Sequence, residues 1–391
     1  MDSQRLADHR AQFPALQGKL YANFGVVGPM ARSTLDALAA HYESRQREGP
    51  ASPPLFARQA EEDESARRDL AALLEVAPAE LALLDSTCTG CAAALLSVTW
   101  RPGDHLLLSD AEYPALVQLA RVMTRRFAIE VTVAPLLLHA HDAAARIDAA
   151  LRPRTRAVLL SHVLWTSGER VALDEVAALL AQRAPRPLLI VDGAQGPGNV
   201  AVRPARDGVD AYAFPGHKAL CGPDGLGALW ISPRVLEELE PLTAGWRGVA
   251  VDARGQATGP APGARRFEMA TTTFGTRPAL RAALRVAAGF APLAERVARA
   301  ASLGARAFSL ARESGLEPLL ADAPGTPLVC LKVPGRSGGE VASALLAENI
   351  FVRYLPQTDA VRLSLSYLNT EDEVDAAIAA LARQRRQATR S

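Results

Sequence analysis

The 391-residue sequence has little of several things, and each shortage excludes a class of protein. Four cysteines are too few for the disulfide framework of a small secreted domain. Basic residues number 43 against 42 acidic ones, without the positive surplus of proteins that bind nucleic acid or membrane surfaces by charge. No apolar run approaches the roughly 20 residues that span a bilayer, and no secretory signal is visible. We therefore expect a cytoplasmic globular protein that binds neither nucleic acid nor membranes.

Short apolar segments alternate with helical spacers through the first two thirds of the chain. This pattern is typical of buried parallel strands in a βαβ series. The segments lie at 81–85, 105–110, 130–136, 156–163, 187–194, 210–218 and 227–231. The alternation predicts an α/β class and a large domain over residues 31–275.

The two ends of the chain have different patterns. Residues 1–30 contain several glycines and prolines and predict an irregular N-terminal arm. Residues 276–391 combine long Ala/Arg/Leu helices with a few strands, which predicts a smaller α+β domain. The Gly/Pro-rich stretch 253–263 predicts a mobile surface loop.

Polar groups follow four of the predicted strands, where open α/β sheets bind ligands. Residues 86–90 (STCTG) open a helix, and small residues at a helix N-terminus suit a phosphate. Tyr113 follows another strand, and Asp192 and Gln195 follow a third. Plainer interpretations exist, since 86–90 can be a tight strand–helix turn and Asp192 a helix N-cap.

Lysine is scarce, and its position is informative. Lys19, Lys218 and Lys332 are the only three lysines, and Lys218 directly follows the apolar segment DAYAFPGH. A lysine amine condenses with an aldehyde cofactor, and a carboxylate such as Asp192 keeps a pyridine nitrogen protonated. The pair therefore predicts a covalently bound pyridoxal cofactor.

The segment VDGAQ…VDAYAFPGHKALCGPDGLGALWI resembles the core of fold-type I, class V pyridoxal-phosphate (PLP) enzymes, relatives of cysteine desulfurases and isopenicillin N epimerases. LYANFGVVGPM, STCTGC, LLSHVLWTSG and VRLSLSYLNTEDEVD follow the order and spacing of the L-cysteine/cystine C–S lyase branch. The resemblance covers about residues 10–385. It implies the PLP-dependent transferase fold, with a mostly parallel seven-stranded sheet in the large domain and a smaller α+β C-terminal domain.

The same resemblance implies roles around pyridoxal 5'-phosphate. Lys218 would form the Schiff base and then move protons at Cα and Cβ. Asp192 would pair with the pyridine nitrogen, and Gln195 would contact the phenolic oxygen. Three residues would hold the phosphate: Cys88 through its backbone, Thr89 and His217.

It also implies how substrate and a second subunit are bound. Arg362 matches the arginine that clamps the α-carboxylate, a group that arginine binds in a bidentate manner. Arg353 matches a second arginine of this branch, with a salt-bridged surface residue as the plainer interpretation. Thr271 matches the position that reaches the cofactor of the partner, which implies a homodimer with shared sites.

Three positions depart from the family pattern. Tyr113 replaces a histidine that stacks on the cofactor, so stacking is kept while a group that titrates near neutral pH is lost. Pro215 replaces a Ser or Thr that donates to the phosphate. The segment 353–359 lacks the persulfide-forming cysteine of desulfurases, and Cys330 lies on a predicted strand. Cys88 and Cys91 alone cannot complete a zinc site, so we predict no metal.

The leading functional hypothesis is a lyase that eliminates a thiol or persulfide from cysteine, cystine or an S-conjugated cysteine. Lys218 and Tyr113 are its predicted catalytic residues. The alternative is decarboxylation coupled to oxidative deamination of an S-conjugated cysteine, in antibiotic biosynthesis of the lincosamide type. A racemase, an aminotransferase and a non-catalytic binding protein are further alternatives. The joint presence of Lys218, Asp192 and Arg362 disfavours the last.

Overall fold

The computed structural model describes residues 3–388. The first elements are α1 (Ser3–Arg10), β1 (Leu20–Tyr21), α2 (Arg32–Glu48) and α3 (Pro53–Leu74). Gly49, at a φ of 95°, ends α2, and Pro53 begins α3. Helix α1 lies in the predicted irregular arm, so that prediction was wrong for residues 3–10.

A seven-stranded sheet forms the centre of the molecule. Its strands are β2 (Leu81–Leu84), β3 (His105–Ser109), β4 (Glu130–Ala134), β5 (Thr155–Ser161), β6 (Leu188–Asp192), β7 (Ala211–Pro215) and β8 (Gly227–Ile231). In the spatial order β2-β8-β7-β6-β5-β3-β4, β8 runs antiparallel to both neighbours. The other neighbouring strands are parallel. The prediction of a mostly parallel seven-stranded sheet is confirmed.

Two hydrophobic cores lie on opposite faces of this sheet. Successive side chains of a strand point to opposite faces, so Leu106 and Leu108 belong to one core and Leu107 to the other. The connecting helices are α4 (Thr87–Leu96), α5 (Pro114–Phe127), α6 (Ala143–Ala150) and α7 (Leu173–Ala181). Burial on both faces explains why the strands read as continuous apolar runs.

The connection to the C-terminal region contains α8 (Pro233–Leu236) and a hairpin of β9 (Val249–Val251) and β10 (Ala257–Pro260). The hairpin occupies most of the stretch 253–263, which was predicted as a loop. Asp252 Oδ1 accepts hydrogen bonds from the amides of Arg254 (2.8 Å) and Gln256 (2.9 Å), and Gly255 has a φ of 78°. The Gly/Pro-rich composition that predicted a loop therefore belongs to the turn of a hairpin, and this turn joins β9 to β10.

The C-terminal region contains a second, smaller sheet. Its elements are α9 (Thr276–Phe290), α10 (Leu293–Glu313), β11 (Glu317–Pro318), β12 (Leu328–Lys332), α11 (Gly338–Ala347), β13 (Ile350–Phe351), β14 (Arg353–Leu355), β15 (Ala360–Ser364) and α12 (Glu371–Ala388). Strands β11-β12-β15-β14 are antiparallel, and α10 packs against α12. Helix α9 instead contacts α2 and α3, and the domain boundaries at 30 and 275 stay predictions.

The N-terminal arm joins this region to the large sheet. Strand β1 pairs in parallel with β13, and Asn23 forms a bridge with Ser364. The arm then passes Gly25 and Gly28 on its way to α2. Within residues 3–388, no helix combines the length and apolar character needed to cross a membrane.

Candidate active site

A cavity of about 250 Å³ opens where the carboxyl ends of the large sheet face the smaller sheet and the arm. Most of the predicted site residues line it: Cys88, Tyr113, Asp192, Gln195, His217, Lys218, Arg353 and Arg362. Thr89 and Thr271 do not. The structure thus gathers residues from β6, the turn after β7, β14, β15 and the start of α4 around one space.

Lys218 lies just beyond β7, with the arm packed on its backbone. The Gly28 amide donates to the His217 carbonyl at 2.7 Å, and a Cβ at Gly28 would lie 2.1 Å from the Lys218 carbonyl oxygen. Only glycine permits this approach. Burial lowers the pKa of Lys218 to about 8, although Asp192 raises it in part. An appreciable fraction of the amine is therefore unprotonated near neutral pH, as nucleophilic attack on an aldehyde requires.

Asp192 and Gln195 share the turn that ends β6. The Ala194 amide donates to Asp192 Oδ1 at 2.8 Å, and Gln195 Nε2 donates to the Gly25 carbonyl at 2.8 Å. Burial raises the pKa of Asp192, whereas Lys218 lowers it. A carboxylate in this setting is stabilised further by a cationic partner such as a protonated pyridine nitrogen.

The turn that carries Asp192 packs closely against the buried side chain of Tyr212. A Cβ at Gly193 would be 2.1 Å from Tyr212 Cε1, and one at Gly196 would be 2.0 Å from its hydroxyl oxygen. That hydroxyl lies 2.9 Å from Nδ1 of His162, which is also buried. The Tyr212 side chain therefore fixes the position of the turn that carries Asp192 and Gln195.

The start of α4 provides backbone amides at the cavity wall. Ser86 is the N-cap, and its Oγ accepts from the Thr89 amide at 3.2 Å. The Thr89 hydroxyl lies 2.9 Å from Ser86 Oγ, so this side chain is engaged with the N-cap residue. Cys88 lines the cavity, and burial raises the pKa of its thiol. An uncharged thiol next to a helix N-terminus leaves the amides available to an anion.

The two predicted substrate arginines face each other across β14 and β15. Arg353 and Arg362 are direct register partners, so both side chains lie on one face of the small sheet. Arg362 is only 2% exposed, and its Nη1 donates to the Trp165 carbonyl at 2.9 Å. Burial lowers its pKa to about 10, which leaves it charged at neutral pH. Arg353 is exposed at the rim.

Several residues of this site were not predicted individually from the sequence. Trp165 lines the cavity, and its ring meets that of Tyr113 edge-on at 5.9 Å and 73°. Glu112 is buried and accepts from the hydroxyl of Ser109 (2.5 Å) and from the amide (3.1 Å) and hydroxyl (2.7 Å) of Ser161. Burial raises the pKa of Glu112 to about 7. The signal in the sequence that could have identified Glu112 was a carboxylate shortly after the strand β3.

Thr271 lines a different cavity of about 610 Å³, together with Trp246, Arg247 and Phe274. Beneath that cavity, Asp63 forms buried ion pairs with Arg277 and Arg247. Trp246 is 66% exposed there. The chain therefore does not bring Thr271 to its own lysine. A role for Thr271 at a cofactor requires a second subunit and stays a prediction.

The residues around Lys218 fit PLP and an amino acid. Among residues 3–388, four atoms on cavity-lining side chains are buried without a hydrogen-bond partner: Gln195 Oε1, His217 Nδ1, Trp165 Nε1 and Arg362 Nε. Buried polar atoms normally have partners, so several orphans around one cavity indicate that a polar ligand completes them. A lysine, a carboxylate and helix amides around the same space are the groups that this cofactor needs.

This fold and site define a PLP-dependent enzyme of fold type I. The chain belongs to the Aminotransferase class-V family, whose pattern matches residues 30–377. It is 30% identical to isopenicillin N epimerase of Streptomyces clavuligerus, over 79% of this chain and 81% of the relative. A cysteine desulfurase of Salmonella typhimurium is 29% identical over 68% of both chains.

Solved structures support the same assignment. The cystine C–S lyase C-DES, in complex with its reaction product cysteine persulfide, superposes with a TM-score of 0.92. It is 31% identical, and the match covers 95% of this chain and 99% of that one. A mutant of C-DES carries glycine covalently linked to its PLP cofactor. The predicted family, fold and cofactor are confirmed, as is a PLP-dependent carbon–sulfur lyase at the level of the family.

Proposed function

We propose that this enzyme eliminates sulfur from the β-carbon of a cysteine derivative, with cysteine, cystine or an S-conjugated cysteine as substrate. The products are a thiol or persulfide, pyruvate and ammonia. The observation that carries the proposal is a lysine and a buried arginine lining one cavity, in a chain that superposes on a cystine C–S lyase with a TM-score of 0.92.

Bound PLP withdraws electrons from the Cα of an attached amino acid and so makes its proton acidic. Lys218 holds the cofactor and, once free, its Nζ accepts the Cα proton, for which a lowered pKa is favourable. Asp192 keeps the pyridine nitrogen protonated. Gln195 contacts the phenolic oxygen of the cofactor, and His217 and the amides at the start of α4 hold its phosphate.

Arg362 binds the α-carboxylate and so fixes the orientation of the Cα–H bond. Loss of this proton allows the Cβ–S bond to break, with the electron pair leaving on sulfur. Protonated Lys218 can then return the proton to the departing sulfur, and the released enamine hydrolyses to pyruvate and ammonia. Water therefore supplies the atoms that the balanced reaction requires.

Two further features belong to this proposal. Tyr113 stacks on the cofactor ring, and Arg353 at the rim attracts the anionic part of a larger substrate. Thr271 contacts the cofactor of a second subunit, so the enzyme acts as a homodimer. The exposed aromatic side chain of Trp246 near Thr271 supports an interface at that surface.

One observation favours a second candidate, the decarboxylation and oxidative deamination of an S-conjugated cysteine. Tyr113, at 47% exposed, occupies the position of the usual histidine, so a phenol replaces an imidazole there. This reaction would break the bond between Cα and the carboxylate and release carbon dioxide, would keep the Cβ–S bond, and would use molecular oxygen as the oxidant for loss of the amine.

Product analysis separates the two candidates. The PLP-loaded enzyme is incubated with L-cystine, L-cysteine and a bulky S-conjugated cysteine, in air and without oxygen. We expect pyruvate and a thiol or persulfide in both atmospheres, detected by mass spectrometry. A product that forms only in air, keeps its C–S bond and has lost the carboxylate as carbon dioxide and the amino group would establish the second candidate instead. A Lys218→Ala variant, which lacks the absorbance band of lysine-bound cofactor, is the control.

A further inference from the structure

Trp165 lies in the turn that follows β5, close to the buried arginine of the site. Its carbonyl accepts from Arg362 Nη1 at 2.9 Å, and its ring contacts Tyr113 edge-on. The turn is fixed at both ends. The Gly168 amide donates to the Leu164 carbonyl at 2.8 Å, and Thr326 Oγ1 donates to the Gly168 carbonyl at 2.7 Å. The indole is therefore carried by a well-anchored backbone.

The indole N–H of Trp165 is a donor without an acceptor. Its Nε1 is buried and has no hydrogen-bond partner among residues 3–388. The other two largely buried tryptophans differ, because Trp100 donates to the Leu95 carbonyl and Trp230 to Glu80 Oε2, each at 2.8 Å. An indole nitrogen can only donate. A buried donor at a cavity wall, alone among its kind in lacking a partner, indicates an acceptor supplied by a ligand.

Arg362 limits where that acceptor can lie. Its Nη1 is already engaged by the Trp165 carbonyl, whereas Nε is buried and has no partner in the described part of the chain. Gly25 lies against Nη2, since a Cβ there would be 2.9 Å from this atom. The guanidinium edge formed by Nε and Nη2 is therefore the edge available to a carboxylate. A carboxylate has about four acceptor positions, so two donors of Arg362 leave room for a third from the neighbouring residue.

We propose that Trp165 is a substrate-binding residue whose indole N–H donates to the α-carboxylate that Arg362 clamps. The inference rests on the proposed function only in that the substrate is an α-amino acid. Trp165 thus contributes twice: its carbonyl orients the arginine, and its side chain completes the acceptor shell of the anion.

The test measures amino-acid binding rather than turnover. Glycine has no Cβ and L-alanine has no leaving group on its Cβ, so their binding to the PLP-loaded enzyme is titrated by the change in visible absorbance. Trp165→Phe removes the N–H and keeps the ring and the backbone carbonyl. We expect about 10- to 100-fold weaker binding of both amino acids, as for the loss of one hydrogen bond to a charged group. Trp100→Phe, which also loses an indole hydrogen bond but lies outside the cavity, should bind as the wild type does.

Each alternative result is decisive. Unchanged binding by Trp165→Phe, with cofactor retained, overturns the inference, as does a loss confined to cofactor affinity. If Trp165→Phe does not fold, Trp165→His offers a ring N–H in the same place, and we expect it to bind within about tenfold of the wild type. Weaker binding by Trp165→His than by a folded Trp165→Leu variant would contradict the proposal. A wild-type enzyme that binds glycine but releases no sulfur from cysteine, cystine or the S-conjugated cysteine refutes the proposed function alone.

Discussion

The proposed carboxylate clamp by Arg362 provides the sharpest test of the site, because Arg362 is buried whereas Arg353, which lines the same cavity, is exposed. Replacing Arg362 by lysine keeps a positive charge but leaves one nitrogen in place of three. The lysine ammonium lacks the planar edge that binds a carboxylate through two parallel hydrogen bonds, and it is also needed by the Trp165 carbonyl, which is 2.9 Å from Nη1 in the wild type. Loss of one hydrogen bond to a charged group costs about 1.5–3 kcal/mol, or about 10- to 100-fold in Kd.

Arg353 is the matched comparison on the opposite strand. Its side chain is exposed, and an exposed ion pair contributes about 0–1 kcal/mol, so Arg353→Lys should weaken binding by no more than about fivefold. The assay is absorbance titration of the PLP-loaded variants with L-alanine. Equal binding by Arg362→Lys and the wild type would refute the clamp, and a larger loss in Arg353→Lys would reverse the two roles.

The pH dependence gives a second readout of the same clamp. Burial lowers the pKa of Arg362 to about 10, and the carboxylate requires the charged form. Binding by the wild type should therefore decline as the pH rises through about 10, where the guanidinium begins to lose its proton.

Three further predictions concern residues around the cofactor. Tyr113→His should retain the cofactor absorbance band, since either ring can stack, and should change the pH profile of product formation; loss of the band would contradict stacking as its role. Burial raises the pKa of Glu112 to about 7, so the folded state keeps a proton that the unfolded chain releases above about 4.5, and stability should fall as the pH rises through this window. Urea unfolding of Glu112→Gln should show a smaller fall between pH 5 and 8, and an equal fall would be evidence against the assignment. Gly193→Ala should weaken cofactor binding by about tenfold or more, because its Cβ would lie 2.1 Å from Tyr212, whereas Gly289→Ala, with open space around it, should bind normally.

The predicted fold and much of the predicted site depend on local pattern. Lys218 and Asp192 each follow an apolar strand, and parallel strands present their carboxyl ends at one edge of a sheet. Their proximity is therefore implied once the strands are recognised. The arginine pair required the resemblance to a known family, because nothing local distinguishes Arg362 from the many other arginines of the chain.

Other parts of the site depend on contacts between distant segments and could not be predicted. The Gly25 carbonyl accepts from Gln195, and Gly25 belongs to the arm whose strand β1 pairs with the distant β13. The unpaired indole N–H of Trp165 has no counterpart in the sequence, where a tryptophan next to a strand indicates only burial. Helix α1 was missed because its apolar face is short and packs on Phe290 and Tyr367, far along the chain.

The pairing of β1 with β13 has a consequence for the order in which the enzyme is made. The arm leaves the ribosome before the large sheet, but its partner strand and Ser364 emerge after that sheet. The large sheet, complete by residue 231, can fold while the arm is still free. Gly25 and Gly28 reach Gln195 and Lys218 only after the arm docks. A nascent chain therefore carries its lysine before it has a closed cavity, and the site is completed only after β13 has emerged.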